Sequence, residues 1–292
     1  MPELPEVETI RRQLAPHVRG RIITAAELLD PRLTRPLAPH VVAQELAGAR
    51  IEQLERAGKY LIWVLSGDRH LLLHLRMTGM LLFDPVAEPP HTRARLTLDT
   101  GQRLLYADAR RFGTAVLLHS ARERTRYLAE RLGAEPFTPA FTTAYLRARA
   151  RGRTAPIKAF LLDQRNVAGI GNIYADEALF RAGIHPLRAA GRLKPGEWER
   201  LRAAVEEALR AGIDAKGASI DDFRHIDGAR GSFQERFLIH LRGGEACVRC
   251  GGEVRKLIVG GRGTYVCERC QPRPRVRAGR RSAPQRGRAL TA

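Results

Sequence analysis

The chain opens Met1-Pro2-Glu3-Leu4-Pro5-Glu6-Val7-Glu8 and runs on through Ile10, Leu14 and Val18. Val7, Ile10, Leu14 and Val18 share one face of a helix, so residues 3–18 read as an amphipathic helix with Pro5 in its first turn. Past Gly20 the pattern changes. From about 21 to 120 the apolar residues come in short runs broken by Gly, Pro and Asp: Tyr60 to Leu65, His70 to Leu75, Arg95 to Leu98, Thr114 to Leu118. Asp99-Thr100-Gly101-Gln102 separates two of them as a hairpin turn would. Several short strands at this spacing predict a β-sandwich. From about 125 the helical period returns in Tyr145-Leu146-Arg147, Ile157 to Leu162, Ile173 to Ala182 and Glu197 to Ala211, with Pro136 and Pro139 marking the expected linker. Beyond Gly231 come two short strand candidates and a cysteine cluster. The expected fold is therefore α+β and multidomain: an N-terminal helix with a β-sandwich (1–125), a helical domain (126–235), a four-cysteine zinc ribbon (236–271) and a basic disordered tail (272–292).

A chain of 292 residues can bury one large core or two modest ones. No run of eighteen apolar residues occurs and no signal-peptide pattern stands at the start, so a soluble cytoplasmic protein is expected. The formal charge is +19. Seven arginines and no acid lie in the tail, yet the folded part remains strongly positive, which suits a polyanion partner such as nucleic acid. Lysine is rare: Lys59, Lys158, Lys194, Lys216 and Lys256 are the whole set. In so Arg-rich a chain a retained lysine marks a site that needs a titratable amine.

The small residue after Met1 favours removal of the initiator, leaving Pro2 as a free secondary amine. Such an amine attacks an aldehyde-level carbon to give an iminium ion, an electron sink. An α-amino group titrates near ~8 against ~10.4 for lysine, so it is roughly a hundredfold richer in its neutral form at pH 7. Cys247-x2-Cys250 and Cys267-x2-Cys270 have the spacing of a zinc site. Four thiolates fill a tetrahedron and leave no open position, so the metal expected is one structural Zn. Between the pairs, Val259-Gly260-Gly261-Arg262-Gly263-Thr264 reads as a hairpin tip presenting Arg262, placed to clamp a phosphate. Gly169-Ile170-Gly171-Asn172 opens a helix, a natural phosphate site, with Arg153 and Lys158 near in sequence. His74 to Gly79 and Asp108 to Gly113 set Met77 and Phe112 beside arginines at strand ends, where apolar wedges suit a protein that extracts a base from a duplex.

Together these strings resemble the formamidopyrimidine-DNA glycosylase family, bacterial enzymes that excise oxidised purines. The resemblance runs in order from Pro2–Glu8 through Gly58-Lys59-Tyr60-Leu61, His74–Gly79, Asp108–Gly113 and Gly169–Tyr174 to the four cysteines. It implies a helix–two-turn–helix domain after the sandwich, with double-stranded DNA in the cleft between the halves. It implies Pro2 as the Schiff-base nucleophile, Glu3 as general acid and base, and Lys59 in the β-elimination step. Arg262 would serve the second elimination. His91, Arg110, Arg153, Lys158 and Asn172 would hold the backbone, and Met77, Arg110 and Phe112 would fill the vacated helix. Glu6 and Glu177 fall at supporting acidic positions. No organic cofactor is implied, and a monomer associated with the bacterial nucleoid is expected.

Several residues depart from the family pattern. Lys216-Gly217-Ala218-Ser219 stands where Gly-Gly-Ser/Thr is usual, Asp221 where a basic residue is common, His240-Leu241 for Tyr-Gly, and Ala109 for Pro. These bear on lesion preference. The nearest alternative is the endonuclease VIII branch, which acts on oxidised pyrimidines by the same Pro2 chemistry. A second is a catalytically silent zinc DNA-binding protein. Pro2–Glu8, the Met77/Arg110/Phe112 set and the long loop from Gly217 to Phe233 favour the purine branch.

Overall fold

A computed structural model describes residues 1–220 and 223–274. Asp221 and the greater part of the Arg-rich tail, residues 275–292, lie outside the described residues. The N-terminal half contains α1 (Leu4–Val18), β1 (Ile23–Leu28), α2 (Pro39–Leu46), β2 (Ile51–Ala57), β3 (Tyr60–Leu65), β4 (Arg69–His74), β5 (Met80–Phe83), β6 (Thr92–Leu98), β7 (Arg103–Ala107) and β8 (Thr114–Leu118). The strands form two four-stranded antiparallel sheets, β1-β6-β7-β5 and β2-β3-β4-β8. Trp63, Leu73, Leu81, Leu96, Leu104 and Tyr106 are buried between them. The turn after β6 is the one expected: the Gln102 carbonyl accepts from Leu98 N, and Thr97 pairs with Arg103.

Helix α2 was not legible in the sequence. It spans only eight residues and buries Val42 and Leu46 alone, too short a stretch to display a period of 3.6.

Helix α3 (Ala121–Ala129) packs on the sandwich beside β4 and β8, and the helical half holds α4 (Thr143–Ala150), α5 (Ile157–Leu162), α6 (Asn172–Ala182) and α7 (Pro195–Asp214). Helix α6 is buried along nearly its whole length and packs on α7 through Tyr174, Leu179, Leu201, Val205 and Leu209. A two-stranded ribbon, β9 (Arg255–Val259) and β10 (Arg262–Val266), follows.

Helix α1 joins the halves. Val7, Ile10, Leu14 and Val18 sit in the sandwich core, whereas Leu4 belongs to the helical core. Each such burial is worth on the order of 2 kcal/mol, so the helix is held from both sides. Two stretches cross the expected boundaries: α3 runs through 125/126 and lies on the sandwich, and the loop after α7 returns to it. Phe223 and Ile226, placed by sequence in the helical domain, pack into the sandwich core, and Ile226 O accepts from Phe83 N at 2.9 Å. Apolar side chains in a loop bury on the nearest apolar surface, whatever their place in chain order. The Pro136–Pro139 stretch follows a segment that is itself packed: Ala134 bridges to Val167 and its N–H donates to the Tyr145 hydroxyl.

Candidate active site

A cleft of about 260 Å³ opens where the sandwich, the helical half and the ribbon meet. Met1, Glu3, Lys59 and Met77 line it from the N-terminal half, and Asn172, His240 and Arg262 from the other side. Pro2 is buried beside it, between the half-exposed Met1 and Glu3. With Met1 attached the Pro2 nitrogen is an amide. Removal of Met1 converts that nitrogen into an amine at the edge of the cleft.

Glu3, 2% exposed, precedes α1 in an extended conformation. Its carboxylate accepts from Gly171 N at 2.7 Å and Ile173 N at 3.0 Å, so it occupies the N-terminus of α6. The free amides and helix dipole that the sequence offered to a phosphate are thus taken by a carboxylate of the chain itself. Only glycine fits at 171, because a β-carbon there would lie 2.5 Å from Glu3 Oε1. Glu6, one turn along α1, accepts from Glu3 N, the Tyr174 hydroxyl and Ala218 N, each at 2.8 Å. Burial first, and the Glu3 charge second, push its carboxyl above the usual carboxylate range while those donors oppose the rise. Glu6 therefore fixes the N-terminus and the start of the Gly217–Phe233 loop together.

Lys59 sits in the tight turn between β2 and β3 and is 5% exposed. Burial lowers its pKa from the lysine value, Arg262 and Arg76 act in the same direction, and Glu3 and Glu6 oppose it. The turn is locked to the helical half, since Gly58 N donates to Glu135 Oε2 at 2.7 Å and Arg56 pairs with the same carboxylate. A lysine amine can change protonation state here in a way that an arginine guanidinium cannot.

Arg262 is exposed at the start of β10 and reaches the cleft. Its turn is clamped from the helical side: Asn172 Nδ2 and Lys158 Nζ both donate to Gly263 O at 3.1 Å, and Lys158 Nζ also donates to Thr264 Oγ1 at 2.8 Å. Here the expectation for Lys158 needs correction. It was placed on the DNA backbone, but its side chain is fully buried and ion-paired with Asp176 at 2.7 Å. The buried Asp176 carboxylate on α6 draws the ammonium inward, and the lysine supports Arg262 rather than facing phosphate. Asp176 in turn meets His240 Nδ1 at 2.8 Å. Sequence reading missed Asp176 and weighed His240 only as a departure. The available signal was the four-residue spacing of Asn172 and Asp176 on one helix face.

Glu177 does not reach the cleft. It accepts from Leu238, Ile239 and His240 N–H groups at 2.9–3.1 Å and pairs with Arg181 at 2.6 Å, holding the segment that carries His240. Phe112 is 51% exposed, with the Arg110 guanidinium 4.8 Å from its ring centroid. His91 and Arg153 are exposed. The Arg153 Nε–H donates to Arg149 O.

The four cysteine sulfurs lie within 4.8 Å of one another, with Cys250 and Cys267 Sγ 3.4 Å apart and Cys247 and Cys270 Sγ 3.9 Å apart. A tetrahedral Zn²⁺ with ~2.3 Å bonds to sulfur sets its ligands about 3.8 Å apart, so the cluster fits the ion.

The N-terminus, the buried Glu3, Lys59 and the exposed Arg262 of the cysteine-bearing ribbon thus meet at one cleft of a fold built from a sandwich, a helical half and a ribbon. Residues 1–115 match the formamidopyrimidine-DNA glycosylase N-terminal domain, 132–224 its H2TH domain, and 244–273 the zinc finger found in FPG and IleRS. The chain belongs to the formamidopyrimidine-DNA glycosylase family. It is similar to the formamidopyrimidine-DNA glycosylases of Symbiobacterium thermophilum, 45% identical with 96% of this chain and 95% of the relative covered, and Cereibacter sphaeroides, 43% identical with 93% and 100% covered. Among solved structures it is similar to Lactococcus lactis Fpg in complex with DNA containing Fapy-dG, with a TM-score of 0.85, 36% identity, and 93% and 100% of the two chains covered. The same enzyme in complex with DNA containing an abasic site gives 0.86 at 35% identity, with the same coverage. The chain is accordingly a DNA glycosylase of base excision repair.

Proposed function

We propose that this glycosylase excises oxidised purines, 8-oxoguanine and formamidopyrimidines, from duplex DNA through a Schiff base on Pro2, and then cuts the strand by β,δ-elimination. The observation that carries this reading is the convergence of the N-terminus, Glu3, Lys59 and Arg262 on one cleft. The Pro2 amine attacks C1′ of the damaged nucleotide and the C1′–base bond breaks, the base leaving with the amine proton. The C1′–O4′ bond then opens, O4′ takes a proton, and a cationic iminium remains. That cation acidifies the C2′ proton, so the 3′ phosphate leaves by β-elimination, and a second elimination releases the 5′ phosphate. Glu3, which lines the cleft, would exchange protons with the opening sugar. Lys59, whose pKa burial lowers from the ordinary lysine value, suits proton transfer in the first elimination. Arg262 suits charge stabilisation on the phosphate in the second.

The four thiolates would hold a structural zinc ion, which would give the Arg262 hairpin a rigid base. The iminium is itself the electron sink, so the chemistry needs no organic cofactor. We place the protein in the bacterial cytoplasm as a monomer on DNA. The seven tail arginines add sequence-independent affinity, and ending the chain at residue 272 would make the salt dependence of duplex binding shallower.

The test is borohydride trapping on a duplex with 8-oxoguanine opposite cytosine, followed by peptide mapping. The expected result is an adduct on an N-terminal peptide lacking Met1. An adduct on a thymine glycol duplex alone would assign the protein to pyrimidine lesions. Tight binding with no adduct on either would leave a DNA binder without this chemistry.

A further inference from the structure

Met77, His91, Arg110 and Phe112 lie on three separate loops, and one buried residue touches all three. Asp108, 2% exposed, follows the last residue of β7. Its Oδ1 accepts from the Thr78 hydroxyl, next to Met77, and from Arg110 N at 3.2 Å. Its Oδ2 accepts from Gly113 N at 2.8 Å, next to Phe112, and from the Tyr106 hydroxyl at 3.3 Å. Its own N–H donates to His91 O at 3.0 Å. Arg110 N lies a further 3.2 Å from Thr78 Oγ1, joining two of the loops directly. The Tyr106 hydroxyl fills the space between the loops so closely that a β-carbon on Gly113 would overlap it and one on Gly79 would lie 2.7 Å away. Arg111, with φ at +58°, turns the opposite way and pairs with the buried Asp30 at 2.8 Å, which leaves Arg110 and Phe112 on the outer side.

We propose that Asp108 is a positioning residue that couples the Met77 loop to the Arg110–Phe112 loop, so that the two enter DNA as one unit. The proposal rests on the reading of Met77, Arg110 and Phe112 as the residues that fill a vacated duplex. Its physical basis is the cost of an unmade bond. A buried carboxylate with four donors cannot lose the donors of one loop without leaving charge unsolvated. Displacing either loop alone breaks that shell, whereas moving both together preserves it. Lesion engagement then requires the simultaneous placement of Met77 and Phe112, which a duplex that resists opening does not allow.

A double-mutant cycle decides this. Met77→Ala, Phe112→Ala and the pair are compared for affinity to a duplex with a tetrahydrofuran abasic analogue opposite cytosine, with 2-aminopurine beside it to report unstacking. The cycle is then repeated in a Thr78→Val background, which removes one donor and keeps the side-chain shape, and in Asp108→Asn. Melting and zinc content confirm that each variant is folded.

In the native background the two effects should depart from additivity by more than about threefold, against roughly twofold for independent sites. The departure should fall to the independent level in Thr78→Val. Additivity in the native background, or coupling unchanged in Thr78→Val and in any folded Asp108→Asn, would overturn the proposal. If neither single substitution alters affinity or the 2-aminopurine signal, the insertion reading fails first, and the coupling with it.

Discussion

Replacing Lys158 with methionine separates its two readings. The side chain is fully buried, Asp176 is 1% exposed, and the pair at 2.7 Å is joined by two further bonds from Nζ to the β10 turn. Methionine fills most of the volume but leaves a buried carboxylate with His240 as its remaining close side-chain partner. Breaking a buried pair on one side costs about 3–5 kcal/mol. At ~2–4 °C per kcal/mol, the unfolding transition should drop by roughly 6–20 °C in scanning calorimetry. Lys158→Met combined with Asp176→Leu should recover most of that loss, because an apolar pair carries no stranded charge. The slope of log affinity against log salt should stay near the native value in the single variant, since no phosphate contact is removed. A direct contact would instead lower the slope by about 0.9. A thermal shift under ~2 °C together with a reduced salt slope would refute the buried-strut reading.

The remaining predictions concern pH, metal and the lysine in the cleft. Burial holds the His74 imidazole down to about 3 from its ordinary 6.5, so the unfolded chain binds the proton that the folded one refuses. Stability tied to this group is complete above about pH 6.5 and declines as pH falls toward 3, at up to about 1.4 kcal/mol per pH unit; His74→Gln should flatten the acid limb of a denaturation-versus-pH series. Cys250→Ser should lower bound zinc, measured by atomic absorption, and cut strand cleavage by disordering the Arg262 turn, while the sandwich retains its far-ultraviolet signature. Lys59→Arg keeps the charge and loses the titratable amine, so β-elimination at a preformed abasic site should fall by about 10²-fold or more, with duplex affinity nearly unchanged. Equal loss of both would make Lys59 a binding residue only.

Most of the elements were legible because their signals are local. The face of α1, the short strands, the Ile157–Leu162 and Ile173–Ala182 helices and the cysteine spacing each depend on neighbours within a few turns or one hairpin. What failed was assignment of partners. The helix start at Gly171 was read as a phosphate site, yet its amides are taken by Glu3, 168 residues away in sequence. Lys158 was correctly seen as unusual, yet its charge is spent on Asp176.

The sequence by itself determined which groups had to be satisfied: a free amine once Met1 is lost, a helix N-terminus wanting negative charge, four thiolates wanting a metal. Only the tertiary structure decided which group satisfies which, because the burial that drives those pairings is set by the packing of α1 across both halves and of α5 and α6 against the ribbon. A buried charge takes whatever opposite charge or donor the packed cores bring within hydrogen-bond reach, and that distance exists only after the chain has closed.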